Sequence, residues 1–202
     1  MASLVGHALG ALAVWEVGRR LPGGWVPPRR RALLLPVGLA LAPDLDVVVG
    51  ILTRQPLHRG LTHSFLFAAL LGGLACLVLA LVRGRQAGPP LWRVGAVLVA
   101  CALVHPLLDF LMARGRALPW LWPLSDQGFL SPIQLLPTAY FGTSGRGLLG
   151  VALEPRTWAG VGLELLSLGG LWLAAASRRA RWLALGLGAS ALGVGITLLL
   201  YR

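Results

Sequence analysis

The chain has no lysine, only four histidines, and only seven aspartates and glutamates among 202 residues. Charged residues make up 12% of it, where soluble domains usually carry roughly 25%. Hydrophobic residues make up 56%, and the mean hydropathy is +0.76. So little charge excludes an ordinary soluble domain, because the apolar side chains exceed what a soluble core can bury. Cysteine is scarce too: Cys76 and Cys101 both lie in apolar runs, where a thiol behaves as a small hydrophobe, so no disulfide framework is implied. No repeat of fixed period and no low-complexity tract is present. The His-Glu-x-x-His pattern of a zinc protease helix is absent. Four histidines are too few for the His-rich set of a membrane di-iron oxidase, despite the His58-x4-His63 spacing. No basic residue precedes the first apolar run, so Ala11-Leu12-Ala13 is expected to be retained rather than cleaved as part of a signal peptide.

What the chain does have is apolar length. Runs at about 2–18, 32–53, 64–82, 92–113, 158–177 and 182–200 approach or exceed the roughly 18 residues that mark a membrane-spanning helix. They predict an all-α, polytopic transmembrane helical bundle of about six spans, within a range of four to six. The first run is the shortest and is interrupted by His7 and Glu16. The simplest organisation is one integral membrane domain over 1–202, with a motif-bearing core at about 1–130 and motif-poor C-terminal helices at about 158–202. Between the fourth and fifth spans, the connection at about 114–157 carries Pro119, Pro123, Pro132 and Pro137. It is expected to be irregular, either re-entrant or a lid, since irregular backbone at membrane depth survives only where protein or water satisfies it. Trp15, Trp25, Trp92, Trp120, Trp122, Trp158, Trp172 and Trp182 fall mostly near span ends, as in an aromatic belt.

The net charge of +11 rests entirely on arginine. In a soluble protein it would suggest nucleic acid; here the arginines sit at the ends of apolar runs, where they meet headgroups and set orientation, and no nucleic-acid partner is expected. Ten of them (Arg19, Arg20, Arg29, Arg30, Arg31, Arg83, Arg85, Arg178, Arg179 and Arg181) fall on one side. Arg54, Arg59, Arg114, Arg116, Arg146, Arg156 and Arg202 fall on the other, with Arg93 at a boundary. This bias favours an outward N-terminus.

The scarce polar residues are grouped. His7 lies in the first run, Pro43-Asp44-Leu45-Asp46 in the second, His58-Arg59-Gly60-Leu61-Thr62-His63-Ser64 before the third, and His105-Pro106-Leu107-Leu108-Asp109 in the fourth. Ionisable groups at bilayer depth are costly and mark sites. His105 and Asp109, four apart, share a helix face. Asp44 and Asp46 would diverge by about 200° on a helix, so Pro43 is expected to break the helix there and put both on one side in extended backbone. His58 and His63 suit a turn into the third span, with Thr62 as its N-cap. In an alternating six-span arrangement all seven residues fall toward one membrane face, which the arginine bias makes the extracytoplasmic one.

Imidazole and carboxylate are ligand types for Zn, Mn or Fe. His7, Asp44, Asp46, His58, His63, His105 and Asp109 are therefore candidate ligands for one or two divalent ions, most simply Zn. Two ions about 3.5–4 Å apart would hold both the attacking and the leaving oxygen of an ester. Asp44 and Asp46 are candidate bases for the attacking water, Arg59 is placed to steady an anionic oxygen, and Asp126 in the long connection is a further candidate base or ligand. Ion or small-solute transport through intramembrane Asp and His is the rival reading, but it would put polar residues at both faces. Glu164 is the only other acid deep in a span. A non-catalytic membrane protein is the third.

The early His, Pro-Asp-Leu-Asp, His-Arg-Gly-Leu-Thr-His-Ser and His-Pro-Leu-Leu-Asp together resemble the YdjM family of bacterial and archaeal inner-membrane proteins. The match covers about residues 1–130, with Pro123-Leu124-Ser125 resembling the loop after the last motif. The resemblance implies an inner-membrane, metal-dependent hydrolase with ligands drawn from the seven residues named. A more distant likeness to zinc-dependent phospholipase C enzymes implies a phosphoester or other ester of a membrane lipid or membrane-associated substrate.

Overall fold

The computed structural model describes residues 3–21, 33–55, 60–84, 90–112, 117–136 and 154–200. His58 and Arg59, with Trp25, Arg29, Arg30, Arg31, Arg85, Arg114, Arg116, Pro137, Arg146 and Arg202, lie outside the described residues.

Each apolar run becomes a helix: α1 (Leu4–Arg20), α2 (Leu34–Leu41) continued by α3 (Leu45–Thr53), α4 (Phe65–Arg83), α5 (Leu91–Leu111), α6 (Pro155–Ala176) and α7 (Ala180–Leu200). Leu34–Thr53, α4, α5, α6 and α7 are long and apolar enough to cross a membrane. At 17 residues, α1 is about 25 Å long, a little short of the roughly 30 Å hydrocarbon core.

Pro43 does break the second run, but the break is a single 3-10 turn, Ala42–Asp44, rather than extended backbone. Asp44 stays in the right-handed helical region at φ −69°, ψ −9°. A proline costs the ladder one N–H without forcing the chain to straighten, and tightening to 3-10 bonding absorbs the loss. The expected N-cap is also corrected. Thr62 lies within a second 3-10 turn, Leu61–His63, and Ser64 caps α4 by accepting from Phe67 N at 3.1 Å.

The least apolar helix is the central one: α1 packs against α2, α5 and α6, while α4 lies on α5 and α7 on α6. Trp15 is accordingly buried among Ala11, Leu39, Leu98 and Cys101 rather than set in an aromatic belt. Trp92, Trp158 and Trp182 are exposed near the N-terminal ends of their helices, as a belt requires. Lipid tails are as apolar as leucine, so close packing rather than hydrophobic exclusion holds such helices together. A Cβ on Gly170 would stand 2.6 Å from Gly186 O, and one on Gly186 2.6 Å from Ala174 N; only hydrogen at these positions lets α6 and α7 approach so closely.

The connection after α5 is irregular over 117–136, as its prolines predict. Leu118 and Phe129 exchange backbone hydrogen bonds at 3.0 and 2.9 Å to form one isolated antiparallel bridge. The segment is fastened to the helices where Phe65 N donates to Trp120 O and Leu135 N to Leu111 O, both at 3.0 Å.

Candidate metal centre

Helix α5 presents His105 and Asp109 one turn apart on one face, both fully buried. The 3-10 turn after α2 redirects the local hydrogen bonds, and Pro43 has no N–H to give back to the preceding helical turn. Ala40 O accepts from His105 Nδ1 at 2.7 Å. With its proton fixed there, His105 aims the Nε2 lone pair into the protein, where His63 Nε2 stands 3.0 Å away.

His63 is oriented in the same manner by a relay. Thr62 Oγ1 donates to Asp46 Oδ2 at 2.6 Å, which leaves its oxygen, 3.0 Å from His63 Nδ1, to accept that ring's proton. With the tautomers assigned in this way, Nε2 of His63 is also an acceptor and faces that of His105 across 3.0 Å. The tautomers follow from the hydrogen bonds.

The other candidates close around this pair. Asp44 Oδ1 is 3.6 Å from His105 Nε2, Asp109 Oδ2 is 3.6 Å from His63 Nε2, and His7 Nε2 is 3.5 Å from Asp109 Oδ1. The His7 ring stacks on that of His105 with centroids 3.9 Å apart and planes at 14°. Neither ring nitrogen of the fully buried His7 has a hydrogen-bond partner among the described residues. Two groups, His7–Asp44–His105 and His63–His105–Asp109, each bring three ligand atoms within 4.8 Å of one another. The donor set is that of a Zn, Mn or Fe site. Orphaned nitrogens beside convergent carboxylates suit a cation better than a dry core, so the residues fit a divalent ion.

The structure thus brings five of the seven sequence-predicted ligands (His7, Asp44, His63, His105 and Asp109) to one point. Asp46 is placed behind His63, on its Nδ1 side, with Oδ2 3.5 Å from that nitrogen. His58 and Arg59 lie outside the described residues. Asp126 is exposed in the 117–136 segment and belongs to neither group.

One contributor escaped the sequence reading. Glu164 of α6 is fully buried and accepts hydrogen bonds from both the backbone N and the hydroxyl of Ser3. Ser3 Oγ also accepts from Gly6 N, and Ser3 O from His7 N. A Cβ on Gly6 would come within 2.7 Å of Glu164 Oε2. The turn that carries His7 is therefore seated on α6. The signal available was an unpaired acid deep in a motif-free span; nothing in it pointed to Ser3.

The family model described as "YdjM inner membrane protein" matches residues 1–201. The chain is 34% identical to "Inner membrane protein YbcI" of Escherichia coli (strain K12) over 148 residues, 71% of this chain and 80% of that protein. No solved structure matches.

Proposed function

We propose that this chain, which belongs to the YdjM family of inner-membrane proteins and crosses the membrane several times, is a metal-dependent hydrolase of a membrane-associated ester or phosphoester. The observation that carries the reading is the 3.0 Å approach of His63 Nε2 and His105 Nε2, each with its other nitrogen held by a hydrogen-bond acceptor. With the tautomers so assigned, two acceptors face one another, an arrangement that a cation held by both rings would relieve. Orienting a ligand imidazole through its second nitrogen is the usual outer-shell device of metal proteins.

His7, Asp44, His63, His105 and Asp109 would hold the ion, with Asp46 and Thr62 as positioning residues for His63. Both groups of three need His105, and its Nδ1 is committed to Ala40. One remaining lone pair serves one ion, so the groups are overlapping positions around a single nitrogen, and we assign one ion to them. When bound, a divalent ion supplies a Lewis-acidic charge that polarises an ester oxygen and makes water acidic near neutral pH.

The chain's own residues supply the rest. Hydrolysis forms a bond from water oxygen to the acyl carbon or phosphorus and breaks the bond to the leaving alkoxy oxygen. The water's proton passes to a carboxylate and then to the leaving group. Asp44 is the base we assign, because its side chain is 9% exposed whereas that of Asp109 is 0% exposed. Arg59, by its position in the His-Arg-Gly-Leu-Thr-His string, is assigned to the anionic oxygen. Transport is less well supported, since the remaining deep acid, Glu164, meets Ser3 beside His7 rather than extending a polar path to the opposite face.

The test is metal content by elemental mass spectrometry on detergent-purified protein, wild type beside His63→Ala and Asp109→Ala. Wild type should hold about one equivalent of Zn, Mn or Fe, and both variants, each missing one ligand of a group that shares His105, should retain clearly less through purification while keeping their helical circular dichroism. Wild type that binds none of the three after reconstitution overturns the reading. The loaded protein is then screened against phospholipid and other lipid esters.

A further inference from the structure

The segment 117–136 is an unusual connection for a membrane protein. Its twenty residues contain one charge, Asp126, yet it exposes large apolar side chains: Leu121 at 44%, Leu124 at 91%, Leu130 at 53% and Ile133 at 57%. Two aromatic contacts of Trp120 fix it beside the site, and a third is internal to the segment. The ring of Trp120 lies 4.7 Å from that of Phe65, two residues after His63, and 4.3 Å from that of Phe110, next after Asp109, with Phe129 at 5.8 Å. Leu61 and Leu107, beside His63 and Asp109 in the chain, are exposed as well. Exposed apolar side chains thus occur both on the segment and on the elements to which it is fastened.

Two physical constraints set its depth. Irregular backbone facing lipid is not tolerated within the hydrocarbon core, because unpaired N–H and C=O groups have no water there. Exposed leucines are unfavourable in water. The headgroup–acyl boundary satisfies both, with backbone and Asp126, Gln127 and Ser125 hydrated and the leucines buried by lipid. Trp120 and Trp122 are the residue type enriched at that depth.

We propose that residues 118–133 form an interfacial element seated in one leaflet beside the His63–Asp109 end of the bundle, with lipid as its occupant. This places the end of the bundle that carries His63 and Asp109 at headgroup depth. On the hydrolase reading above, the substrate class is then a lipid whose scissile ester or phosphoester lies at the headgroup, entering sideways from the leaflet; the seating itself does not depend on that reading.

The experiment is depth measurement by spin labelling in phospholipid nanodiscs. Leu124→Cys, Leu130→Cys and Gln127→Cys are made in a Cys76→Ala, Cys101→Ala background, with Leu70→Cys on the exposed face of α4 as the lipid reference. Collision with oxygen is compared with collision with a water-soluble nickel chelate. Labels at 124 and 130 should favour oxygen, as at 70, at a depth of about 5–10 Å, while 127 favours nickel. Labels at 124 and 130 as open to nickel as 127 overturn the proposal. So do labels closed to both reagents, the mark of a second copy covering the surface. Because these residues are exposed, the variants should fold, and circular dichroism checks it. Metal binding with nickel-exposed labels would leave the hydrolase reading standing and this one refuted; oxygen-exposed labels without metal binding would do the reverse.

Discussion

His63 and His105 arrive from different elements, a 3-10 turn and the last third of a span, and meet Nε2 to Nε2 at 3.0 Å, each with its Nδ1 beside an oxygen. That arrangement makes His105 the pivot of the centre, since it belongs to both convergent groups while His7 belongs to one.

His105→Ala should abolish metal binding, whereas His7→Ala leaves His63, His105 and Asp109 in place and should weaken it only. Competition against a chromophoric chelator measures both. Equal, small losses from the two substitutions would contradict the shared role of His105.

On the proposed reading, Asp46 and Thr62 would act on the ion only through His63. Outer-shell partners typically contribute about 10–100-fold in metal affinity, and Asp46→Asn and Thr62→Val should each lose an amount in that range while still binding one equivalent at saturation. Complete loss of stoichiometric binding in Asp46→Asn would instead make Asp46 a direct ligand.

Imidazole must be neutral to ligate, so protons compete with metal at His7, His63 and His105. Affinity should fall as pH is lowered, and metal binding should release protons. Titration calorimetry in buffers of different ionisation enthalpy reads that release; an affinity independent of pH would remove the histidines from the ligand set.

The Glu164–Ser3 contact is buried and comprises two hydrogen bonds. A hydrogen bond contributes about 0.5–1.5 kcal/mol net, so Glu164→Ala should lower thermal stability noticeably, and Glu164→Gln, which keeps an acceptor of the same shape, less so. Gly6→Ala should behave like Glu164→Ala because its methyl takes the space of the carboxylate. Thermal melting in detergent compares the three, and a stable Glu164→Ala would show the contact to be incidental.

Gly186→Leu should separate α6 from α7, since even a Cβ there meets backbone. Overpacking of this kind costs roughly 1–3 kcal/mol. A melting temperature equal to that of wild type would mean that the two helices are held by something other than their close approach.

The spans were legible because each is a long apolar run, a signal that needs no knowledge of neighbours. The pairing of His105 with Asp109 was legible because helical spacing alone decides it. The separate placements of Asp44 and Asp46 were not. On extended backbone they would share a side; instead Asp44 ends the 3-10 turn and turns to His105, while Asp46 lies in the first turn of α3 and turns to Thr62. Which of these a proline induces depends on the helices packed around it, and no local pattern records that. The central position of α1 was hidden for a related reason. Its lower apolarity suggested a marginal helix, whereas its polar residues face partners: Glu16 pairs with Arg19 at 2.7 Å and His7 enters the site.

The clamp on Ser3 also fixes an order of events. Its partner lies 161 residues further along the chain, and chains emerge from the ribosome N-terminus first. His7 is thus among the first residues made, yet the turn that holds it is not locked until α6 has entered the bilayer. A nascent protein with the four earlier runs inserted and α6 still unmade has its candidate ligands in the membrane and no finished cage for them. On the proposed reading, the centre would be complete only once the C-terminal helices have arrived, a role for that half of the molecule that its sequence does not advertise.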